Sequence, residues 1–205
     1  MIPEIKICGI TGPEEVEFIN EMPVSYIGFV FAPSKRLVTP EQADRLSEGL
    51  RGDIKKVGVF TDTPLDEIEL IVKLCALDIV QIHGRCRDQD IGSLSCPVWK
   101  GISMQSHDCT EKLQEYPSAK AFILDAYVPE QQGGTGRTFH WEWAEGLSRQ
   151  YTIILAGGLN AGNVSRAVGI VRPHIVDVSS GVEGMNGKDK LKVMEFIKAV
   201  KSNEA

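Results

Sequence analysis

The sequence predicts an α/β protein in which strand and helix alternate eight times within one closed barrel, and three observations lead there. Short apolar runs rich in β-branched residues recur from end to end: Ile5–Ile10, Tyr26–Phe31, Lys55–Phe60, Ile79–Gly84, Val98–Ser103, Ala121–Ala126, Thr152–Leu159 and Ile175–Gly181. The starts of successive runs lie 19 to 31 residues apart, room for a strand, a crossover helix and two short loops. The count itself separates a closed barrel from an open doubly wound sheet, because eight parallel strands close around an interior that side chains just fill. With 205 residues the repeat averages about 26, near the lower limit for this architecture. Residues 1–205 therefore read as a single small (β/α)8 domain, a TIM barrel with few insertions.

Helix signals fall between the runs in order. Thr11-Gly12-Pro13-Glu14 and Thr39-Pro40-Glu41-Gln42 fit capping boxes at the first two helices. Thr63-Pro64-Leu65-Asp66 opens the third, with proline where its missing donor costs nothing. Shorter helices are expected near Asp88–Leu94, Asp108–Tyr116 and Trp141–Ser148. The one long connection, Tyr127–His140, carries Gln-Gln-Gly-Gly-Thr-Gly-Arg and reads as a lid built on Gly133, Gly134, Gly136 and Arg137. Asn160-Ala161-Gly162-Asn163 opens the helix after the seventh strand, and Asp189–Ser202 places Leu191, Met194, Ile197 and Ala199 at the spacing of an amphipathic face.

Composition narrows the partners. At 42% hydrophobic and 24% charged the chain is an ordinary folded protein, not a disordered one. No apolar run approaches the ~18 residues of a membrane span, and MIPEIKICGI lacks the features of a secretory leader, so a cytoplasmic location without membrane contact is expected. Lys and Arg total 22 against 28 Asp and Glu, and the resulting charge of −6 repels polyanions, which excludes nucleic acid as a first partner. The five cysteines, at 8, 75, 86, 96 and 109, form no Cys-x-x-Cys pair, and His83, His107, His140 and His174 show no ligand spacing. Free thiols and no metal follow.

Barrels of this kind bind ligands at the carboxyl ends of their strands, which selects the residues to weigh. Gly157 and Gly158 after the seventh strand, with Ser179, Ser180 and Gly181 after the eighth, either turn the chain or let backbone N–H groups close on a phosphate. Cys8 ends the first strand and reads either as a small buried hydrophobe or as a thiol facing substrate. Asp125 ends the apolar sixth strand, as a loop cap or as an acid facing that thiol. Arg36 could hold a carboxylate bidentately or only solubilise. Lys100 and His83 complete the strand-end set.

These residues lie within motifs that resemble phosphoribosylanthranilate isomerases of tryptophan biosynthesis: Lys6-Ile7-Cys8-Gly9-Ile10-Thr11, Gly28-Phe29-Val30-Phe31 with Ser34-Lys35-Arg36, Val80-Gln81-Ile82-His83-Gly84, Leu124-Asp125, Gly133-Gly134-Thr135-Gly136, Ala156-Gly157-Gly158-Leu159-Asn160 and Val176-Asp177-Val178-Ser179-Ser180-Gly181-Val182-Glu183. The resemblance implies an Amadori rearrangement of N-(5-phosphoribosyl)anthranilate to 1-(2-carboxyphenylamino)-1-deoxyribulose 5-phosphate, without a cofactor, in a monomer or homodimer. It implies Asp125 as general acid, Cys8 as general base, Arg36 on the anthranilate carboxylate, the Gly157-Gly158 and Ser179-Ser180-Gly181 loops on phosphate, and lesser binding parts for His83 and Asp177. Arg85 and Cys86 depart from the acidic residue common after His83-Gly84. Two other readings compete: a different phosphosugar isomerase or epimerase on the same barrel, and a non-catalytic sugar-phosphate-binding protein.

Overall fold

The computed structural model describes residues 2–126 and 138–202. Eight parallel strands close into one barrel in sequence order: β1 (Glu4–Cys8), β2 (Tyr26–Val30), β3 (Lys55–Phe60), β4 (Ile79–Ile82), β5 (Val98–Met104), β6 (Ala121–Ala126), β7 (Ile153–Leu155) and β8 (Ile175–Val178), which pairs back with β1. The TIM barrel is thus the fold, and all eight expected runs hold strands. Several strands stop sooner than their apolar runs. Gly9, Gly84 and Gly157, with φ of +83°, +77° and +82°, turn the chain out of the sheet at the carboxyl ends of β1, β4 and β7.

Between strands lie α1 (Pro13–Asn20), α2 (Pro40–Glu48), α3 (Leu65–Leu74), α4 (Asp88–Ser93), α5 (Val164–Val171) and α6 (Lys190–Lys201). The capping box on α2 forms as expected, Thr39 Oγ1 accepting from the Gln42 N–H and Gln42 Oε1 from the Thr39 N–H. The box expected on α1 shifts by one residue: Pro13 takes the first helical position, so Gly12 caps, and Glu15 rather than Glu14 accepts from the Thr11 and Gly12 N–H groups. On α3 it is Pro64 that occupies the cap, so Thr63 provides no side-chain bond there.

Two further expectations need correction. His107–Glu115, Trp141–Ala144 and Leu147–Arg149 are 3-10 segments, not α-helices. The left-handed Gly146 splits the last two, and only Cys109 and Leu113 anchor the first, too little apolar face to propagate an α-helix. On α6 the buried face is Val193, Phe196, Ile197 and Val200, while Leu191 and Met194 are 69% and 50% exposed. The valines complete an i, i+3, i+4, i+7 stripe to which Leu191 and Met194 do not belong.

The core has two parts. The larger lies between barrel and helices and receives Ile5, Ile7, Ile68, Val168 and Phe196. The smaller fills the barrel interior with Tyr26, Val57, Ile79, Trp99, Ile123, Ile154 and Ile175. Tyr26 and Trp99 meet edge-on at 5.1 Å. Strand alternation therefore sends Ile5 and Ile7 outward and the intervening Lys6, followed by Cys8, into the barrel. After β8 the chain adds a hairpin that the sequence reading missed, β9 (Glu183–Gly184) with β10 (Gly187–Lys188).

Candidate active site

Above the apolar filling, the carboxyl-terminal mouth of the barrel is polar. Lys6 and Asp177 are register partners on β1 and β8, and Lys6 Nζ donates to Asp177 Oδ2 at 2.9 Å. Cys8 pairs across to Gly28. A methyl group at position 28 would lie 2.8 Å from Cys8 Sγ and 3.3 Å from Lys6 Nζ, so this glycine keeps open the hollow in which thiol and ammonium both stand. Asp125 is the penultimate residue of β6, and the β7 loop packs onto it through Gly157, where a Cβ would come within 2.8 Å of Asp125 Oδ1.

Burial governs the charges. It pushes the Asp125 carboxyl up to about 6, aided by the Asp177 carboxylate and opposed by the Ala126 N–H and Lys6. Burial also pushes the Cys8 thiol up, with Lys6 pulling against it, Asp177 reinforcing it and Lys188 opposing. Lys6 itself is desolvated, yet the attraction of Asp177 and then Cys8 holds its proton more tightly than usual. For His83, burial together with the ammonium groups of Lys6 and Lys100 pushes the imidazole down to about 4. The ring is therefore neutral, and its Nε2 accepts from the Gln81 amide at 2.7 Å. Gln81 Oε1 and Asp177 Oδ1 are buried without a hydrogen-bond partner among the described residues.

Arg36 is less free than the sequence suggested. Its stem packs on Gly9, and its Nε donates to Glu183 Oε1 at 2.5 Å. Glu183 also accepts from Lys35 at 2.6 Å and Lys188 at 3.0 Å. Burial alone would raise the Glu183 carboxyl, but these three cations hold it well below the usual carboxylate range. Arg36 Nη2 remains, buried and without a partner among the described residues.

Gly158, at φ +64°, follows Gly157, and Gly181 faces the Leu159 carbonyl so closely that no side chain fits there. The β7 and β8 loops thus meet through glycine, with Ser180–Val182 in a 3-10 turn. The Ser179 hydroxyl is occupied: it donates to the Cys8 carbonyl at 2.8 Å, while Lys188 Nζ donates to it at 3.3 Å. Backbone N–H groups, not this hydroxyl, are what the loop can offer an anion.

Some strand-end residues belong elsewhere. Lys100 lies on the face of β5 opposite Trp99, donating to the Gly84 and Gly101 carbonyls beside the Tyr116 ring. Arg85 and Cys86 line a separate cleft of about 310 Å³ with Thr61, Asp62 and Ile82. The lid expected at Gly133, Gly134, Gly136 and Arg137 lies outside the described residues. Among the described residues no cluster of His, Cys, Asp and Glu is placed to hold a metal, and no helix is long and apolar enough to cross a membrane. The sequence reading gave no part to Lys6, Gln81, Glu183 or Lys188. Lys6 carried a signal: a lone cation in step with Cys8 on an apolar strand must share its interior face.

Fold and site together define a barrel enzyme with an interior thiol, a carboxyl and a glycine-lined pair of loops at one mouth, the equipment of an acid–base isomerase. Residues 5–199 match the family described as N-(5'phosphoribosyl)anthranilate (PRA) isomerase. The N-(5'-phosphoribosyl)anthranilate isomerase of Thermoanaerobacter sp. (strain X514) is 41% identical over 199 residues, covering 97% of this chain and 98% of its own. The crystal structure of phosphoribosyl anthranilate isomerase from Thermotoga maritima superimposes with a TM-score of 0.90 at 36% identity, covering 98% of this chain and 99% of that one. A phosphoribosyl anthranilate isomerase in complex with reduced 1-(o-carboxyphenylamino)-1-deoxyribulose 5-phosphate gives 0.86 at 33% identity, with 98% and 99% covered. The chain belongs to the N-(5'-phosphoribosyl)anthranilate isomerase family, enzymes of tryptophan biosynthesis.

Proposed function

We propose that this chain, as one domain over residues 1–205 and working in the cytoplasm, rearranges N-(5-phosphoribosyl)anthranilate with Asp125 as general acid and Cys8 as general base. Asp125 protonates the furanose ring oxygen as the ring opens to a Schiff base. Cys8 then takes the proton from sugar C2, and the enolamine tautomerises to the ketone. The observation that supports this reading is a shared interior: Lys6 Nζ stands 2.9 Å from Asp177 and beside Cys8 over Gly28, and Asp125, in step with the interior Ala121 and Ile123 on β6, faces the same side of its strand.

Arg36, through its Nη2, which has no partner among the described residues, receives the anthranilate carboxylate. The glycine-lined loops at Gly157-Gly158 and Ser179-Ser180-Gly181 receive the phosphate. Asp177 Oδ1 and the His83–Gln81 pair face the sugar, offering an acceptor and amide groups to its hydroxyls. The relative with the reduced product analogue supports this substrate class. A fluorescence assay following loss of phosphoribosylanthranilate tests it. The parent chain turns the substrate over, and Cys8→Ala and Asp125→Ala each lose at least ~10²-fold in kcat. Full activity in either variant removes that residue from its role.

A further inference from the structure

We propose that Lys6 is a positioning residue for the reaction: its buried ammonium, anchored by Asp177, is the counter-ion that lets Cys8 part with its proton inside the barrel. The inference rests on Cys8 being the base, and it goes beyond that by naming what makes a thiolate tolerable there. A thiolate in an apolar interior needs a compensating charge close by. Lys6 has no exposure to solvent, and the hollow over Gly28 brings its Nζ and the Cys8 sulfur against the same residue. An ammonium has three donors, and one is committed to Asp177 Oδ2. The Asp177 carboxylate competes with the sulfur for the same cation, so the pair sets how much of that charge Cys8 feels.

Among the described residues, the groups facing Cys8 are few. Its own strand supplies Lys6, β2 only Gly28, β8 Asp177 and the hairpin Lys188, which is itself paired with Glu183 next to Arg36. His83, just after β4, and Asp125 on β6 are further titratable groups of the mouth, and both also feel Lys6. Lys6 is the interior cation common to all three.

The test is the ultraviolet absorbance of the thiolate, titrated as the difference between each chain and its Cys8→Ser counterpart. Lys6→Met raises the midpoint by about one to three pH units, Lys6→Arg restores most of the shift, and Asp177→Asn lowers the midpoint by freeing the ammonium. In kcat/KM, Lys6→Met lowers the neutral plateau by about tenfold for each unit by which the thiol shift exceeds the accompanying rise of Asp125. A midpoint unmoved in Lys6→Met, or in Asp177→Asn if Lys6→Met fails to fold, overturns the proposal. The two levels separate: full activity in Cys8→Ala removes the base role and with it the purpose given to Lys6. An unmoved midpoint with inactive Cys8→Ala removes Lys6 alone.

Discussion

Arg36 reaches Glu183 with its Nε at 2.5 Å and leaves its Nη2 buried without a partner among the described residues. The carboxylate therefore fixes the Nε side of the planar guanidinium and leaves Nη2 for another acceptor. Lys188 and Lys35 hold Glu183 in turn. Replacing Glu183 with Gln removes the charge but not the shape. KM for the phosphoribosyl substrate then rises about tenfold, the loss of one charge-assisted hydrogen bond's positioning, with kcat little changed. Steady-state kinetics decide it, and an unaltered KM means that Arg36 needs no such support.

That network also marks where sequence reading stops. The barrel was legible because short apolar runs and their spacing are properties of neighbouring residues. The strand ends of Cys8, Asp125 and Gly157 followed from the runs. Arg36 with Glu183 is different: the two lie 147 positions apart and meet only because β8 closes on β1 and the hairpin folds back over the mouth. Lys188 depends on the same hairpin, whose Met185-Asn186 turn joins strands of two residues each, too short to stand out as apolar runs. The amphipathic face of α6 was misplaced because its two valines were passed over in favour of the larger Leu191 and Met194.

The pH dependence of kcat/KM follows from two groups in unusual states. Asp125 titrates at about 6 and the Cys8 thiol above its ordinary value, so near neutrality most molecules hold a carboxylate and a thiol. The reactive form, carboxylic acid plus thiolate, has the same number of protons and remains a constant minor fraction between the two midpoints. Rate thus rises with pH through about 6, stays level, and falls only above the thiol midpoint. A profile that instead declines steadily from pH 6 upward would show that Cys8 ionises before Asp125, so that its thiol is not held above its ordinary value.

Asp125 also costs the fold something. Its carboxyl binds a proton more tightly in the folded chain than in the unfolded one, where about 4 is normal, so its contribution is most favourable below that value. As pH rises from about 4 through about 6 the unfolded state ionises first, and stability drains away. Allowing for partial exposure at the mouth, the loss is about 1–2 kcal/mol. Asp125→Asn escapes it. Denaturant melts at pH 4 and pH 7.5 should show the variant gaining on the parent by that amount at the higher pH while remaining inactive. Equal gaps at both pH values would mean that the carboxyl is not strained by burial.

Gly157 and Gly146 together separate backbone strain from collision. Both have left-handed backbone, φ +82° and +79°, where a side chain costs about 1–2 kcal/mol. A methyl group at Gly146 meets nothing within 4 Å, so Gly146→Ala pays the strain alone and keeps full activity. A methyl group at Gly157 meets the Ala126 amide nitrogen at 2.5 Å and Asp125 Oδ1 at 2.8 Å, contacts that neither strand can absorb without moving the carboxyl. Because the Ala126 N–H helps hold the Asp125 carboxylate, displacement changes both the position and the acidity of the proposed acid. Gly157→Ala should therefore lose stability beyond the Gly146→Ala value and lower kcat at least ~10-fold, since misplacing a reacting group by about 1 Å is costly. Thermal melts and turnover measured on the two variants side by side give the comparison. If they match in both, the β7 loop does not position Asp125, and the glycine serves only the turn.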